Sequence, residues 1–203
     1  MPFLEDFEGG EVLAEYWAVS GTNDFRTAPT TEHIAHGGSW HLGMDDAVYD
    51  LAYSRNELTL SVNLAGFQNV VLTFWAREFG DEPHGPPASP FTGGSDFDGV
   101  AVSEDGTTWY EARGLRNLSS TYEEIVIDLD AVAAAHGIYY TDAFRIRFNQ
   151  YDNHPIASDG IAVDDIAITG ETVLDPWNVW VDFGYAGMEV GSEPQPFNTL
   201  GEA

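Results

Sequence analysis

The chain has 203 residues, of which 43% are hydrophobic, and it contains no cysteine. Its 34 acidic residues stand against only 7 basic ones, all arginine, so the formal net charge is −27. This composition excludes disulfides and cysteine-based metal sites, argues against nucleic acid and anionic membranes as partners, and favours cations.

Neither end of the chain reads as a targeting segment. The start, MPFLEDFEGG, lacks the basic and apolar regions of a signal peptide. No apolar run approaches the ~20 residues of a membrane helix, so we expect no direct membrane insertion. The end, QPFNTLGEA, reads as the beginning of an element. We interpret the sequence as a module of a longer secreted or cell-surface protein.

Short alternating or apolar runs, separated by Gly, Pro, Asn and Asp, dominate the chain and predict strands. In chain order these runs are GSWHLGM (38–44), NELTLSVNL (56–64), NVVLTFWARE (69–78), FDGVAVSED (97–105), TWYEARGL (108–115), EEIVIDL (123–129), AFRIRFNQY (143–151) and GIAVDDIAI (160–168). One segment, DLDAVAAAHG (128–137), predicts a helix capped by Asp128 or Asp130 and ended by Gly137. This pattern predicts an all-β fold, an antiparallel two-sheet β-sandwich of the jelly-roll type.

A long segment without periodicity runs from Glu78 to Asp98. Loops of this length are usually functional or disordered. Acidic residues and histidines in and around it could cluster at one edge and hold a Ca²⁺ ion. They are Glu78, Asp81, Glu82, His84, Asp96, Asp98, Asp152, His154 and Asp159. The alternative, which the acidity of the whole chain favours, is ordinary turn chemistry, because Asp-Gly is a common turn pair.

Alternation in two of the predicted strands suggests a ligand-binding face. If the strands at 69–78 and 143–151 are neighbours, their outward side chains form one mixed aromatic and polar surface. These side chains are Trp75, Arg77, Arg147 and Asn149, with His41 beside them. Carbohydrate binding needs such a surface, with a flat ring for stacking and planar donors for hydroxyls or carboxylates. The alternative is that the arginines pair with nearby acids.

The last predicted strand contains two adjacent carboxylates, Asp164 and Asp165. Successive side chains of a strand point to opposite faces, so one of the two acids points towards the core unless a bulge intervenes. An unpaired buried carboxylate is costly. The sequence therefore predicts a cation beside this pair, an ion pair with Arg26, or a bulge.

Three stretches resemble the MAM domain, a jelly-roll β-sandwich module of extracellular proteins. They are EDFEGG (5–10), VSGTNDFRTAPTTEHIAHGGSWHLGMD (19–45), and FRIRFN followed by SDGIAVDDIAI (144–149 and 158–168). The resemblance implies a MAM-like domain over residues 1–172. Similar sandwiches occur among bacterial carbohydrate-binding modules and surface proteins. MAM domains of animals carry paired cysteines, which this chain lacks, so their adhesion partners are not carried over.

The same resemblance implies a structural Ca²⁺ ion between the first and last strands. Its implied ligands are Glu8, Asp45 and Asp165, with Glu32 as a weaker fourth. Ca²⁺ takes 6–8 oxygen ligands, so carboxylates from distant segments suit it.

The tail has a resemblance of its own. VWVDFGYAGMEVGSEPQPFNTLGEA (179–203) is similar to the first turn of right-handed parallel β-helices in bacterial secreted proteins. We therefore predict that residues 173–203 are a linker and the start of a following, truncated β-helix. The aromatic residues Trp177, Trp180 and Phe183 are expected to pack against the sandwich.

Two functions remain open from the sequence. The first is a non-catalytic, calcium-stabilised binding or adhesion module, with carbohydrate or a surface protein as partner, attached to a neighbouring domain of a larger extracellular protein. The second is a structural or assembly domain of a bacterial surface protein without a small-ligand site. An enzyme is not predicted, because the chain lacks Gly-x-Ser-x-Gly, His-Glu-x-x-His and P-loop motifs.

Overall fold

The structure, a computed structural model, describes residues 3–173 and 186–187. The chain divides into two compact units, residues 1–171 and 172–203, and the first contains nearly all of the described residues. The predicted β-helix start and the aromatic residues Trp177, Trp180 and Phe183 lie outside the described residues.

Twelve strands and one helix are found in the described part of the chain. The strands are β1 (Phe3–Glu5), β2 (Trp17–Gly21), β3 (Phe25–Thr30), β4 (His41–Asp46), β5 (Ser54–Val62), β6 (Phe67–Glu78), β7 (Phe91–Thr92), β8 (Gly99–Ser103), β9 (Thr108–Gly114), β10 (Glu123–Asp128), β11 (Phe144–Asp152) and β12 (Ile161–Thr172). The helix is α1 (Leu129–His136). None of the described helices has the length and hydropathy needed to cross a membrane.

The strands form two antiparallel six-stranded sheets, which confirms the predicted antiparallel β-sandwich. Sheet A has the order β10-β6-β12-β4-β3, and β1 also pairs with β12. Sheet B has the order β2-β5-β11-β8-β9-β7. Strand β12 therefore changes its partner along its length, with Val163 opposite Leu42 of β4 and Ile168 opposite Phe3 of β1.

Alternating side chains of the two sheets meet in one hydrophobic core. Each inner face contributes every second residue, as the pleat of a strand requires. The predicted alternation of inward and outward residues in β6 and β11 is confirmed, because the residues expected to face inward are at most 1% exposed. These residues are Leu72, Phe74, Ala76, Phe144, Ile146 and Phe148. The rings of Phe74 and Phe148 make an edge-to-face contact across the sandwich, with centroids 5.0 Å apart.

The predicted helix is confirmed together with its caps. Asp128 is the N-cap, and its side chain accepts a hydrogen bond from the Ala131 N–H. Gly137 ends the helix in the left-handed conformation, with φ of 67°, which glycine adopts without a steric penalty. Leu129 and Ala133 bury the inner side of the helix.

The long segment after β6 is folded against the outer face of sheet B. Its short strand β7 pairs with β9, which places Phe91 opposite Trp109. Phe91, Phe97, Trp109 and Ala101 form a small second hydrophobic core, separate from the main one. The guanidinium of Arg147 lies 3.7 Å from the centre of the Trp109 ring. Hydrophobic burial thus explains why a segment rich in proline and glycine is ordered here.

Candidate functional site

The two adjacent acids of β12 lie in a β-bulge. The core-facing residues of β12 are Ile161 and Val163 before the pair, and Ile166 and Ile168 after it. A two-residue period cannot join these sets, so one extra residue is inserted between them. Asp165 has a φ of 48°, in the left-handed region. Of the three outcomes that the sequence left open, the structure shows the bulge.

Asp164 is the buried member of the pair, and its partners are main-chain N–H groups. It is 0% exposed and accepts hydrogen bonds from the N–H of His36 at 2.8 Å and of Gly37 at 3.1 Å. Its other oxygen accepts from the Asp165 N–H at 2.9 Å. Burial raises the pKa of Asp164, and these hydrogen bonds oppose the rise. The negative charge is therefore satisfied by backbone donors rather than by Arg26.

Glu8 anchors the same stretch of chain, residues 31–40, which we call the anchored loop. One oxygen of Glu8 accepts from the N–H groups of Ser39 and Trp40, both at 2.7 Å. Gly38 lies against the Glu8 carboxylate and Gly37 against that of Asp165, where a Cβ atom would clash with the oxygens. The structure thus brings two of the predicted calcium ligands, Glu8 and Asp165, to adjacent glycines of the anchored loop.

The other two predicted calcium ligands have different surroundings. Asp45 is 1% exposed and forms a bidentate ion pair with Arg26, whose pKa the hydrogen bond raises. Asp45 also accepts from the Ile156 N–H at 2.6 Å, so its oxygens are already occupied. Glu32 is exposed. A Ca²⁺ ion at Glu8 and Asp165 stays a prediction, and Asp45 is better explained by its pairing with Arg26.

The predicted ligand-binding face is wrong in one premise, because its two strands are not neighbours. Strand β6 lies in sheet A and β11 in sheet B. Arg147 donates to Thr59 Oγ1 at 3.1 Å and to the Gly93 carbonyl at 2.9 Å. Asn149 is 0% exposed. Asn149 is therefore buried and Arg147 partly buried on sheet B, away from Trp75 and Arg77.

The other three predicted ligand residues share the outer face of sheet A. Trp75 and Arg77 of β6 alternate with core residues, as does His41 of β4. The Trp75 ring is already stacked on His36 of the anchored loop, with centroids 3.8 Å apart. The guanidinium of Arg77 lies 4.3 Å from the centre of the Phe79 ring. Trp75 therefore supports the anchored loop, while Arg77 and Phe79 form an aromatic-cationic pair.

Several buried polar atoms on this face have no hydrogen-bond partner among the described residues. They are both ring nitrogens of His41, Nε of Arg77 and the hydroxyl of Tyr122. Buried polar groups are normally paired, so these atoms call for an explanation. Burial, together with the nearby His33 and Arg77, lowers the pKa of His41 to about 4. His41 is therefore neutral at pH 7 and has one N–H donor and one acceptor nitrogen.

A shallow cavity of about 550 Å³ opens beside Arg77, and we call it the Arg77 cavity. Its lining residues are Thr31, Glu32, His33, Ile34, Arg77, Phe79 and Ala157. His41 and Tyr122 are not among its lining residues. The rings of His33 and Phe79 lie 4.9 Å apart. His33, Phe79 and Tyr122 were not predicted as ligand residues from the sequence. Phe79 and Tyr122 lie just outside predicted strands, next to a strand end, and His33 lies in a stretch without a predicted strand.

A second group of polar residues forms at one end of the sandwich. Asp81, Asp98, Asp152 and Asp159, which we call the acid cluster, are all less than 9% exposed. Burial, then neighbouring acids, raise the pKa of Asp81 to about 9 and that of Asp159 to about 8. The acids around the long loop, for which turn chemistry was the favoured explanation, thus come together. Asp96, by contrast, pairs with Arg55.

Comparison with known proteins extends only to the fold. No family model and no curated protein matches the chain, so the MAM-like assignment stays a prediction. Among solved structures, the K2 cleaved adhesin domain of Lys-gingipain is 16% identical, covers 83% of this chain and 99% of its own, and has a TM-score of 0.54. Two other structures are less similar. The K3 domain from Porphyromonas gingivalis w83 is 14% identical, covers 82% of this chain and 98% of its own, and has a TM-score of 0.48. The family 11 carbohydrate-binding module of a Clostridium thermocellum cellulosomal cellulase is 12% identical, covers 84% of this chain and 95% of its own, and has a TM-score of 0.45. The chain shares its β-sandwich fold with the K2 domain.

Proposed function

We propose that this β-sandwich is a non-catalytic carbohydrate-binding module of a larger extracellular protein, and that it binds its ligand in the Arg77 cavity. The observation that carries the proposal is Arg77, which lines an open cavity beside the Phe79 ring and forms no ion pair with a described acid. A saccharide offers hydroxyl and carboxylate groups that would pair with its guanidinium.

The chemistry of the Arg77 cavity suits a sugar ring. Its volume of about 550 Å³ lies within the range of small-ligand sites. Phe79 and His33 supply flat rings, and the planar guanidinium of Arg77 can donate two parallel hydrogen bonds to a carboxylate or to neighbouring hydroxyls. Stacking on Phe79 holds this guanidinium in place before a ligand arrives, which lowers the entropic cost of binding.

The electrostatics of Arg77 support a ligand with negative or polar groups. The chain has 34 acidic residues, yet Arg77 forms no ion pair with any of those that the structure describes. A cation that no protein acid neutralises is available to a ligand. Among the described residues that line the Arg77 cavity, Glu32 is the only carboxylate, whereas glycoside hydrolysis uses two. Binding therefore fits this site better than hydrolysis.

A glycan array probed with the full chain, followed by calorimetry on the glycans that bind, tests the proposal. We expect Arg77→Ala and Phe79→Ala each to weaken binding at least about tenfold, which corresponds to one lost interaction of ~1.4 kcal/mol. Arg145→Ala is the matched control, because Arg145 lies on β11 in the other sheet. The proposal fails if no glycan binds, or if the control variant loses as much affinity as Arg77→Ala.

An assembly domain is the second candidate function, and the first strand favours it. Leu4 of β1 is 68% exposed, and Leu13 and Tyr16 beside it are 45% and 39% exposed. These three apolar side chains line a cavity of about 590 Å³. An exposed edge strand with apolar neighbours can pair with another chain. Concentration-dependent self-association in analytical ultracentrifugation, abolished by Leu4→Asp, would favour this function, whereas a monomer at all concentrations would exclude it.

A further inference from the structure

The acid cluster joins four separate segments at one end of the sandwich. Asp81 follows β6 and Asp159 precedes β12, both strands of sheet A. Asp98 precedes β8 and Asp152 ends β11, both strands of sheet B. One carboxylate oxygen from each of Asp81, Asp152 and Asp159 lies within 4.8 Å of the other two. Mutual repulsion among these acids is therefore strong unless something neutralises them.

Two oxygen atoms at this place lack a partner among the described residues. Oδ2 of Asp152 is buried and unpartnered, and so is Oδ1 of the next residue, Asn153. Asp152 is 0% exposed and Asn153 is 8% exposed. A buried carboxylate oxygen without a donor loses its hydration without compensation. The unpartnered oxygens therefore indicate a missing partner. The closeness of the acids alone would not indicate one.

The donors that reach the acid cluster are mostly neutral. Gln150 Nε2 donates to Asp81 at 2.9 Å, the His154 N–H to Asp152 at 2.8 Å and the Gly160 N–H to Asp159 at 3.0 Å. The nearest side chains able to carry positive charge are histidines, with His154 Nδ1 3.7 Å from Asp159 and His84 Nδ1 3.4 Å from Asp98. No described arginine pairs with the acid cluster. The negative charge thus exceeds what the surrounding residues supply.

We propose that Asp81, Asp152 and Asp159 bind a hard divalent cation, with Ca²⁺ as the preferred ion. The donor atoms are oxygens, which Ca²⁺ takes in sets of 6–8 at 2.3–2.6 Å. Two oxygens bound to such an ion are at most about 5 Å apart, and the three acid oxygens, all within 4.8 Å of one another, are close enough to contact one ion. Water and main-chain carbonyl oxygens would complete the set. Mg²⁺ fits less well, because it keeps several of its waters and demands near-ideal octahedral geometry.

The ion would connect parts of the fold that share no strand pairing at this end. It would fasten the long segment after β6, which carries Asp81, to the end of β11 and the start of β12. This site is separate from Glu8 and Asp165, and it does not use the Arg77 cavity. Its presence can therefore be tested independently of carbohydrate binding.

The test uses the full chain, treated with EDTA and desalted, and measures melting temperature and binding heat with CaCl₂, with MgCl₂, and with NaCl at matched ionic strength. A Ca²⁺ concentration ~100-fold above the Kd should raise the melting temperature by roughly 5–10 °C. MgCl₂ should raise it less and NaCl should not reproduce the effect.

Variants locate the ion. Asp152→Asn and Asp159→Asn should each abolish the Ca²⁺ shift, and the EDTA-treated variants should fold, because each substitution relieves repulsion. Asp142→Asn, at an exposed position, removes the same charge and should keep the shift. A parent protein without a Ca²⁺ response would show that protons alone neutralise the acid cluster, and would overturn the proposal. A shift lost in Asp165→Asn but kept in Asp152→Asn would overturn it as well, and would place the ion beside the anchored loop.

Discussion

At the scale of single residues, Asp164 illustrates how a buried charge can be satisfied without a counter-ion. Strand alternation predicted that one acid of the Asp164–Asp165 pair would point towards the core unless a bulge intervened. The structure shows the bulge, and Asp164 is buried against a loop. The partners were not predictable from the sequence, because the main-chain donors of His36 and Gly37 lie more than 120 positions away. A bulge and a distant loop together satisfy the charge of Asp164, while a cation beside Asp165 stays a prediction.

The first prediction concerns this anchoring role. Asp164→Asn replaces a double acceptor by an amide whose NH₂ group cannot accept, so at least one of the three N–H groups loses its partner. We expect a loss of about 1–3 kcal/mol in the free energy of unfolding, measured with guanidinium chloride in EDTA. Asp165→Asn is the matched control: its half-exposed contact with His36 should cost less than ~1 kcal/mol, and asparagine tolerates the positive φ. Equal losses in both variants would contradict the prediction.

The second prediction concerns the pH dependence that His41 imposes. Its pKa is lowered to about 4 in the folded protein, against 6.5 when unfolded, so the unfolded state binds more protons between these values. The contribution of neutral His41 to the free energy of unfolding is therefore fully present above pH 6.5 and is lost as the pH falls from there towards 4. Between pH 7.5 and pH 5 we expect His41 to contribute a loss of about 2 kcal/mol.

The variant His41→Leu isolates this contribution. Acids with a raised pKa, such as Asp164 and Asp98, act in the opposite direction, since they stabilise the fold as the pH falls. The parent protein therefore shows only the sum. The unfolding free energy of His41→Leu should fall less between pH 7.5 and pH 5 than that of the parent, by about 2 kcal/mol. Identical pH profiles would show that His41 is not buried in its neutral form.

At the scale of elements, local patterns predicted the helix and eight of the twelve described strands, but not β1, β2, β3 and β7, nor the neighbours of each strand. Alternation in β6 and β11 and the caps of α1 depend on residues a few positions apart, so the sequence reveals them. Which strands pair depends on contacts between distant segments. For this reason Trp75 and Arg77 were grouped with Arg147 and Asn149, although the two strands belong to different sheets.

The long segment after β6 is the clearest case of an element whose role the sequence left open. Its length and lack of periodicity suggested either function or disorder, and the packing of Phe91 and Phe97 was not predicted. Both rings are buried, with centroids 5.7 Å apart, beside Trp109. The segment is thus a cover for the outer face of sheet B that also brings Asp81 and Asp98 to the acid cluster.

The third prediction tests this second core. Phe97→Ala removes a fully buried ring, and we expect a loss of about 3–5 kcal/mol in the free energy of unfolding. The near-ultraviolet circular dichroism should change as well, because the surroundings of Trp109 change. Leu51→Ala, at a residue 90% exposed, is the control and should stay within ~0.5 kcal/mol of the parent protein. A loss below ~1 kcal/mol for Phe97→Ala would mean that the cover contributes little to stability.

At the scale of the whole molecule, the net charge of −27 was read from the sequence as an affinity for cations. The structure shows that several of these acids are buried together in the acid cluster. Asp45, by contrast, is paired with Arg26. Four of the seven arginines form ion pairs with acids, namely Arg26, Arg55, Arg116 and Arg147. Composition alone could not tell these from Arg77, because that distinction depends on which side chains the fold brings together.

The pairing of β1 with β12 has a mechanical consequence. Because Phe3 lies opposite Ile168 in an antiparallel pair, the chain enters β1 and leaves β12 at the same end of the sandwich. Tension applied through the two ends would open this short pair one hydrogen bond at a time, like a zipper, instead of loading all its bonds together. We expect force spectroscopy to show an early, low-force lengthening of about 2 nm as residues 3–8 peel away, before the main unfolding event. A single high-force event would contradict this. Under tension, the segment from β1 to Glu8 would extend first, and the force would then act on the hydrogen bonds between Glu8 and the anchored loop.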